Sequence, residues 1–268
     1  MIPKRKLGQT GMEVSILGLG TVKLGRNQGV RYPQDFELPD DTQASKLIAL
    51  ARDQGINLID TAPAYGTSEE RLGQLLRGQR DRWLICSKVG EEFANGQSSF
   101  NFTTEYAQFS IERSLQRLKT DVLDIVLIHS DGNDLEIING IGTLDALADL
   151  KRQGKLRAFG MSTKTVAGGL LAAQKSDIVM VTWNLEFQED IPIIDYCQQH
   201  GKGVLIKKAF ASGHLTQAGQ AIKNKGLLID QSLAMIFSHP GVSSAIIGTI
   251  NPDHLQANID RVNKSENR

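Results

Sequence analysis

Gly18-Leu19-Gly20-Thr21-Val22-Lys23 decides between two architectures. A G-x-G-x-x-G turn would open a doubly wound sheet, with a third glycine leading directly into a helix. Lys23 stands where that glycine belongs, and a long polar loop runs on to Asp41. The stretch therefore reads as the end of a strand spanning residues 15–21. Similar β-branched or aliphatic runs recur at residues 56–60, 83–88, 122–129, 156–161, 178–182, 203–206 and 244–248.

Between these runs the apolar spacing changes to the 3.6-residue period of a helix. Ala44, Leu47, Ile48 and Ala51 share one face of a helix that stops at Gly55. Thr67-Ser68-Glu69-Glu70 reads as a capping box ahead of Leu72, Leu75 and Leu76. Ile111, Leu115 and Leu118 mark a third helix. Leu144, Leu147 and Ala148 mark a fourth, with Gly154 at its C-terminal cap. Further helices fall at residues 192–200, 230–238 and 252–262. Strands alternating with helices require a parallel sheet covered by helices. Eight such units close into an α/β fold, the (β/α)8 TIM barrel, and 268 residues is an ordinary length for one such domain over residues 1–268. Lys6 to Val14 adds a short N-terminal β-hairpin, turned at Thr10-Gly11, that can close the barrel floor.

Lys and Arg number 30, as do Asp and Glu. No basic field attracts nucleic acid, and no apolar stretch has the length of a membrane span. Cys86 and Cys197 lack metal or redox spacing, and the N-terminus lacks the apolar run of a signal peptide. A cytoplasmic enzyme is expected. Its oligomeric state is left open.

Catalytic groups of a barrel stand at the C-terminal ends of different strands. Asp60, followed by Tyr65, ends the second run; Lys88 ends the third; His129 ends the fourth. An acid, a phenol, an ammonium and an imidazole thus arrive on three neighbouring strands. Reduction of a carbonyl needs a hydride and then a proton on the developing alkoxide. A phenol, with a reference pKa of about 10, is a weak acid at neutral pH, and a nearby ammonium lowers that value. Lys88 can supply the charge, Asp60 can hold Lys88, and an N–H of His129 can bind the carbonyl oxygen. Taken singly, Asp60 could cap a turn, Tyr65 could be a rim aromatic, Lys88 could be solvated and His129 could be a core histidine. Jointly, four complementary groups at consecutive strand ends point to chemistry.

Asp60-Thr61-Ala62-Pro63-Ala64-Tyr65-Gly66, with Lys88 and His129, resembles the tetrad region of the aldo-keto reductases. Gly154-Lys155-Leu156-Arg157-Ala158-Phe159-Gly160-Met161-Ser162 is similar to a second segment of that family, and the stretch from His239 through Thr249 to Asn258 to a third. The resemblance implies the (β/α)8 barrel, no metal, and NADPH (NADH being possible) laid across the strand ends. It implies catalytic roles for Asp60, Tyr65, Lys88 and His129. Cofactor contacts implied are Gly20, Thr21, Asp60, Ser162, Thr163, Trp183, Lys207, Gly248, Thr249, His254 and Asn258.

Several of these positions depart from the family pattern. Thr163 stands in place of an asparagine, Met180 in place of a glutamine and Trp183 in place of a tyrosine. Lys207 occupies the slot of a stacking aromatic, where it could meet a pyrophosphate or the nicotinamide edge, or simply be solvated. Gly248-Thr249 and His254 replace the usual cations for a 2′-phosphate, leaving the Thr249 hydroxyl and the helix start near Pro252. The substrate is a small-molecule carbonyl or alcohol, touching Tyr65, His129 and Phe210. Tyr32, Pro33, Phe36 and Trp183 are further lining candidates. With the chain stopping at Arg268 and a short loop after His129, an open pocket is expected. Two other readings use the same residues: a Schiff-base lyase with Lys88 as nucleophile, or a non-catalytic NADPH-binding redox sensor.

Overall fold

The computed structural model describes residues 1–30, 32–216 and 225–266. A hairpin of β1 (Lys4–Lys6) and β2 (Glu13–Ser15) comes first. The barrel begins with β3 (Leu17–Gly20), β4 (Leu58–Asp60) and β5 (Leu84–Val89). A second hairpin, β6 (Glu91–Ala94) and β7 (Gln97–Phe100), interrupts it. It continues with β8 (Leu123–His129), β9 (Leu156–Ser162), β10 (Ile178–Thr182), β11 (Gly203–Lys207) and β12 (Ser244–Ile247). The eight barrel strands are all parallel and close in the order β3-β4-β5-β8-β9-β10-β11-β12. They match the eight runs expected.

The helices between them are α1 (Val22–Gly25), α2 (Asp41–Asp53), α3 (Ser68–Leu75), α4 (Thr104–Leu118), α5 (Asp134–Gly140), α6 (Thr143–Arg152), α7 (Val166–Lys175), α8 (Ile191–His200), α9 (Lys225–Ser238) and α10 (Pro252–Glu266). The loop expected to run unbroken to Asp41 thus holds one helical turn, α1.

Side chains alternate across each strand, and the alternation sorts the core. Leu58, Cys86, Ile125, Leu127, Ala158, Ile178, Met180 and Leu205 form one buried cluster inside the barrel. Leu7, Met12 and Val14 of the first hairpin join that cluster, so the hairpin plugs the floor. The intervening Ile59, Ile85, Val126, Ile128, Val179, Val181, Val204 and Ile206 face the helices. Two residues beyond Leu58, Cys86 and Leu127 lie Asp60, Lys88 and His129. The same period that buries the inner stripe therefore aims these three polar groups into the barrel mouth.

The capping box expected at Thr67 is not made: its side chain forms no cap, and α3 starts at Ser68. Tertiary partners draw the polar groups inward instead. Ser68 Oγ donates to Thr21 Oγ1 at 2.8 Å, and Glu69 Oε1 accepts from Ser87 Oγ at 2.6 Å. A complete box stands at the start of α2. There Asp40 Oδ1 accepts from Gln43 N at 2.7 Å and Gln43 Oε1 accepts from Asp40 N at 2.9 Å.

Candidate active site

Asp60, Lys88 and Tyr65 form a compact unit at the mouth. Lys88 Nζ donates to Asp60 Oδ1 at 2.5 Å and to the Thr61 carbonyl at 2.8 Å. Tyr65 Oη donates to Asp60 Oδ2 at 3.4 Å. The Lys88 ammonium also lies 4.8 Å from the centre of the Tyr65 ring. Burial would push Lys88 down, but the Asp60 carboxylate outweighs it and holds the amine charged above its ordinary range.

Tyr65 comes to this point on a single 3-10 turn, Pro63–Tyr65, directly after β4. Gly66 ends the turn with φ +61, and a Cβ there would stand 2.1 Å from the Gly25 carbonyl oxygen. Only glycine allows that approach. Thr21 fixes the other side: its Oγ1 donates to the Asp60 carbonyl at 2.8 Å, in a buried hydroxyl chain that continues through Ser68 to Thr61.

The Tyr65 phenol is raised above its ordinary pKa. Burial is the largest cause and Asp60 adds to it; Lys88 pulls the other way and loses. Lys88 thus lowers the Tyr65 pKa as expected, but not enough to bring it below the usual phenol value. Tyr65 is a protonated phenol throughout the neutral range, and the charged Lys88 lowers the cost of the phenolate left when that proton departs.

His129 ends β8, with its ring edge-on to Tyr65 and centroids 6.2 Å apart. Its Nδ1 lies 2.8 Å from Glu91 Oε2. Burial holds the imidazole below its ordinary pKa against the opposing pull of Glu91. Glu91 would be raised by burial, yet His129, Ser98 and Arg26 together bring it down to about 2. Glu91 belongs to the second hairpin, which sequence reasoning missed. Its signal was Asn95-Gly96, both at positive φ, the pair that suits a two-residue hairpin turn.

The other expected cofactor and substrate residues divide into two groups. Gly20 and Gly248 lie together at the mouth, where a Cβ on Gly20 would be 3.5 Å from the Gly248 backbone. Ser162 and Lys207 join them, with Lys207 Nζ donating to Ser162 Oγ at 2.9 Å and to the Thr163 carbonyl at 2.6 Å. Thr249 is buried and its Oγ1 accepts from Asn251 N at 3.1 Å. Asn258 is buried on α10, and His254 is exposed on the first turn of that helix. Tyr32 places its hydroxyl over Gly248, stacks edge-on with Phe36 and carries Lys23 Nζ 4.1 Å above its ring. Pro33 reaches Gly213, and Phe210 is half-buried after β11.

Three side chains lie elsewhere. Thr163 sets its Oγ1 toward Gly169 of α7. Trp183 is buried with its ring edge-on to His239, centroids 5.6 Å apart. Met180 belongs to the barrel interior.

A nicotinamide dinucleotide fits the first group. Gly248 leaves exposed bare backbone beside the strand end of the buried Gly20, a surface on which a flat or phosphorylated group can rest. The Lys207 amine has only neutral oxygens as hydrogen-bond partners among the described residues. Burial, reinforced by Lys208, brings it down to about 7. An anionic group beside it would restore its charge.

Known proteins resemble this chain. The model of the aldo/keto reductase family matches residues 16–227. A solved structure from Pseudomonas aeruginosa, assigned to the aldo-keto reductases, is 50% identical with a TM-score of 0.88, covering 98% of this chain and 95% of its own. An uncharacterised oxidoreductase of Bacillus subtilis, YqkF, is 26% identical over 97% of this chain and 91% of that protein. The L-galactose dehydrogenase of Arabidopsis thaliana is also 26% identical, over 99% of this chain and 89% of the plant protein.

Proposed function

The chain belongs to the aldo/keto reductase family, the NAD(P)H-dependent oxidoreductases, and from that membership we propose that it reduces an aldehyde or ketone with NADPH, taking the proton from Tyr65. NADPH, when bound, supplies the hydride. Every other task falls to the chain. Gly20, Gly248, Ser162, Lys207, Thr249, His254 and Asn258 hold the dinucleotide across the strand ends. The substrate carbonyl lies against Tyr65 and His129, with Phe210 and Tyr32 as apolar walls. Tyr65 Oη gives its proton to the developing alkoxide, Lys88 stabilises the phenolate, and Asp60 keeps Lys88 charged and in place.

One observation carries the reading: Lys88 Nζ, Asp60 and Tyr65 Oη form a continuous contact chain at the barrel mouth, buried at Lys88 and Asp60 and half-buried at Tyr65. It also weighs against a Schiff-base lyase. An amine held as ammonium by a carboxylate 2.5 Å away lacks the lone pair a nucleophile needs. The plant relative's name describes a dehydrogenation, and oxidation of an alcohol or sugar would use the same groups in reverse. NADPH over NADH is supported by Thr249 and the start of α10, where a 2′-phosphate can be bound. With both cysteines unpaired and buried, we place the enzyme in the cytoplasm.

The test is a panel of carbonyls and sugars with NADPH and NADH in parallel, after each cofactor's binding is followed by fluorescence. Turnover of a carbonyl with consumption of NADPH is expected. Failure to bind either cofactor overturns the reading.

A further inference from the structure

Glu91 contacts neither Lys88 nor Tyr65 by hydrogen bond, yet the hairpin that carries it is braced against the site. Arg26 donates to the Ala64 carbonyl within the Tyr65 turn at 3.0 Å, and its guanidinium stacks 3.4 Å from the Phe93 ring centre of β6. The same guanidinium lies 3.9 Å from Glu91 Oε1. Ser98, across the hairpin on β7, donates to that oxygen at 2.6 Å. With Oε1 occupied, Oε2 faces His129 Nδ1 at 2.8 Å. The carboxylate is 13% exposed and the imidazole 21%.

The ring N–H is not aligned on Oε2 and the buried Nδ1 has no hydrogen-bond partner among the described residues, but a carboxylate oxygen 2.8 Å away offers only lone pairs and so favours hydrogen on that nitrogen over a bare lone pair. A neutral imidazole has one N–H. If Nδ1 holds it, Nε2 is a lone pair. No described residue bonds Nε2, so it remains for substrate.

We propose that Glu91 is a positioning residue that fixes the Nδ1–H tautomer of His129, so that the neutral ring accepts from a substrate hydroxyl and only the imidazolium donates to a carbonyl oxygen. This rests on the carbonyl-reductase reading above. It changes the part expected of His129: an N–H aimed at the carbonyl is present only after the ring takes up a second proton. Reduction then loses the His129 contribution as pH rises through that titration, while binding of hydroxyl-bearing substrates gains an acceptor.

The groups that set this titration are few. Glu91 on β6 favours the imidazolium. Lys88 on β5 and Lys207 on β11 oppose it, as burial does. Tyr65, on the turn after β4, is neutral, and Arg26 acts on His129 only through Glu91. Among these groups Glu91 is the one that keeps the charged form accessible.

The experiment is nitrogen-15 NMR of the histidine rings in the full chain, assigned with a His129→Gln variant, alongside pH profiles of carbonyl reduction. In the native chain at neutral pH the His129 resonances should show hydrogen on Nδ1 and a bare Nε2. Glu91→Gln keeps an acceptor but loses the charge, so the tautomer should persist while the His129 pKa and the limb on which kcat/KM falls with rising pH both move down. Glu91→Ala should give mixed tautomers.

A native Nε2–H tautomer, or an unchanged ring in Glu91→Ala, overturns the assignment of Glu91. A kcat/KM limb that stays put while the ring pKa moves overturns the link to reduction. A chain that reduces no carbonyl yet shows the expected tautomer rejects the reductase reading and leaves the Glu91–His129 assignment standing.

Discussion

Lys88 Nζ sits 2.5 Å from Asp60 Oδ1, and both side chains are almost wholly shielded from solvent. Removing one member of such a pair leaves the other as an uncompensated buried charge, at a cost of about 3–5 kcal/mol. Asp60→Asn should therefore lower the midpoint of chemical denaturation markedly. Activity should fall with it, because the Lys88 amine then sheds its proton more readily and no longer supports the phenolate. The stability loss should be largest near neutral pH and shrink toward high pH, where an unpaired amine in the folded chain can be neutral. Denaturation followed at two pH values checks both statements.

Tyr65→Phe separates chemistry from architecture. Among the described residues the lost hydroxyl makes one long hydrogen bond, 3.4 Å to Asp60, so folding stability should change little. A positioned general acid contributes roughly 10²–10⁴ in rate, and kcat for carbonyl reduction should fall by about that factor. Cofactor affinity, measured by fluorescence titration, should hold. A variant that reduces carbonyls as fast as the native chain would remove Tyr65 from the mechanism.

Gly66→Ala tests the turn that delivers Tyr65. Its φ of +61 is strained for alanine, and the added Cβ would stand 2.1 Å from Gly25 O. Strain of this kind costs about 1–3 kcal/mol before the clash is counted. The turn must shift, carrying Tyr65 away from Asp60. Loss of both melting temperature and activity is expected, with far-UV circular dichroism unchanged below the transition.

Much of this was legible in the chain because the barrel rests on one simple periodicity. Runs such as Ile125-Val126-Leu127-Ile128-His129 announce a buried strand, and counting in twos from Leu127 reaches His129 on the inner face. The second hairpin was harder to see. Glu91, Glu92 and Gln97 to Ser99 are polar and lie at the rim, so no apolar alternation marks the strands; only the Asn95-Gly96 turn does. The cap at Thr67 was misread because a sequence motif cannot show that Ser68 and Glu69 have better partners in Thr21 and Ser87. The direction of the Tyr65 pKa was hidden for a related reason. Neighbouring charges can be named from strand order, whereas burial, the largest cause, depends on how tightly the mouth closes.

Lys207 offers a thermodynamic test of the cofactor site. Partial burial at the barrel mouth, and next the nearby Lys208, bring its pKa down to about 7 from the ordinary 10.5. At pH 8 most of the amine is neutral. A phosphate placed beside it favours the charged form, so binding should draw a proton from solution. Calorimetry of NADP⁺ binding in buffers of different ionisation enthalpy should report proton uptake at pH 8 and almost none at pH 6, where the amine is already charged. Affinity should accordingly weaken as pH rises above 7. Folding stability should show the opposite slope, since the unfolded chain keeps that proton up to the ordinary lysine value and stability is gained between pH 7 and that point. Lys207→Met should abolish both slopes. Uptake that persists in this variant would assign the proton to another group and remove Lys207 from the phosphate contact.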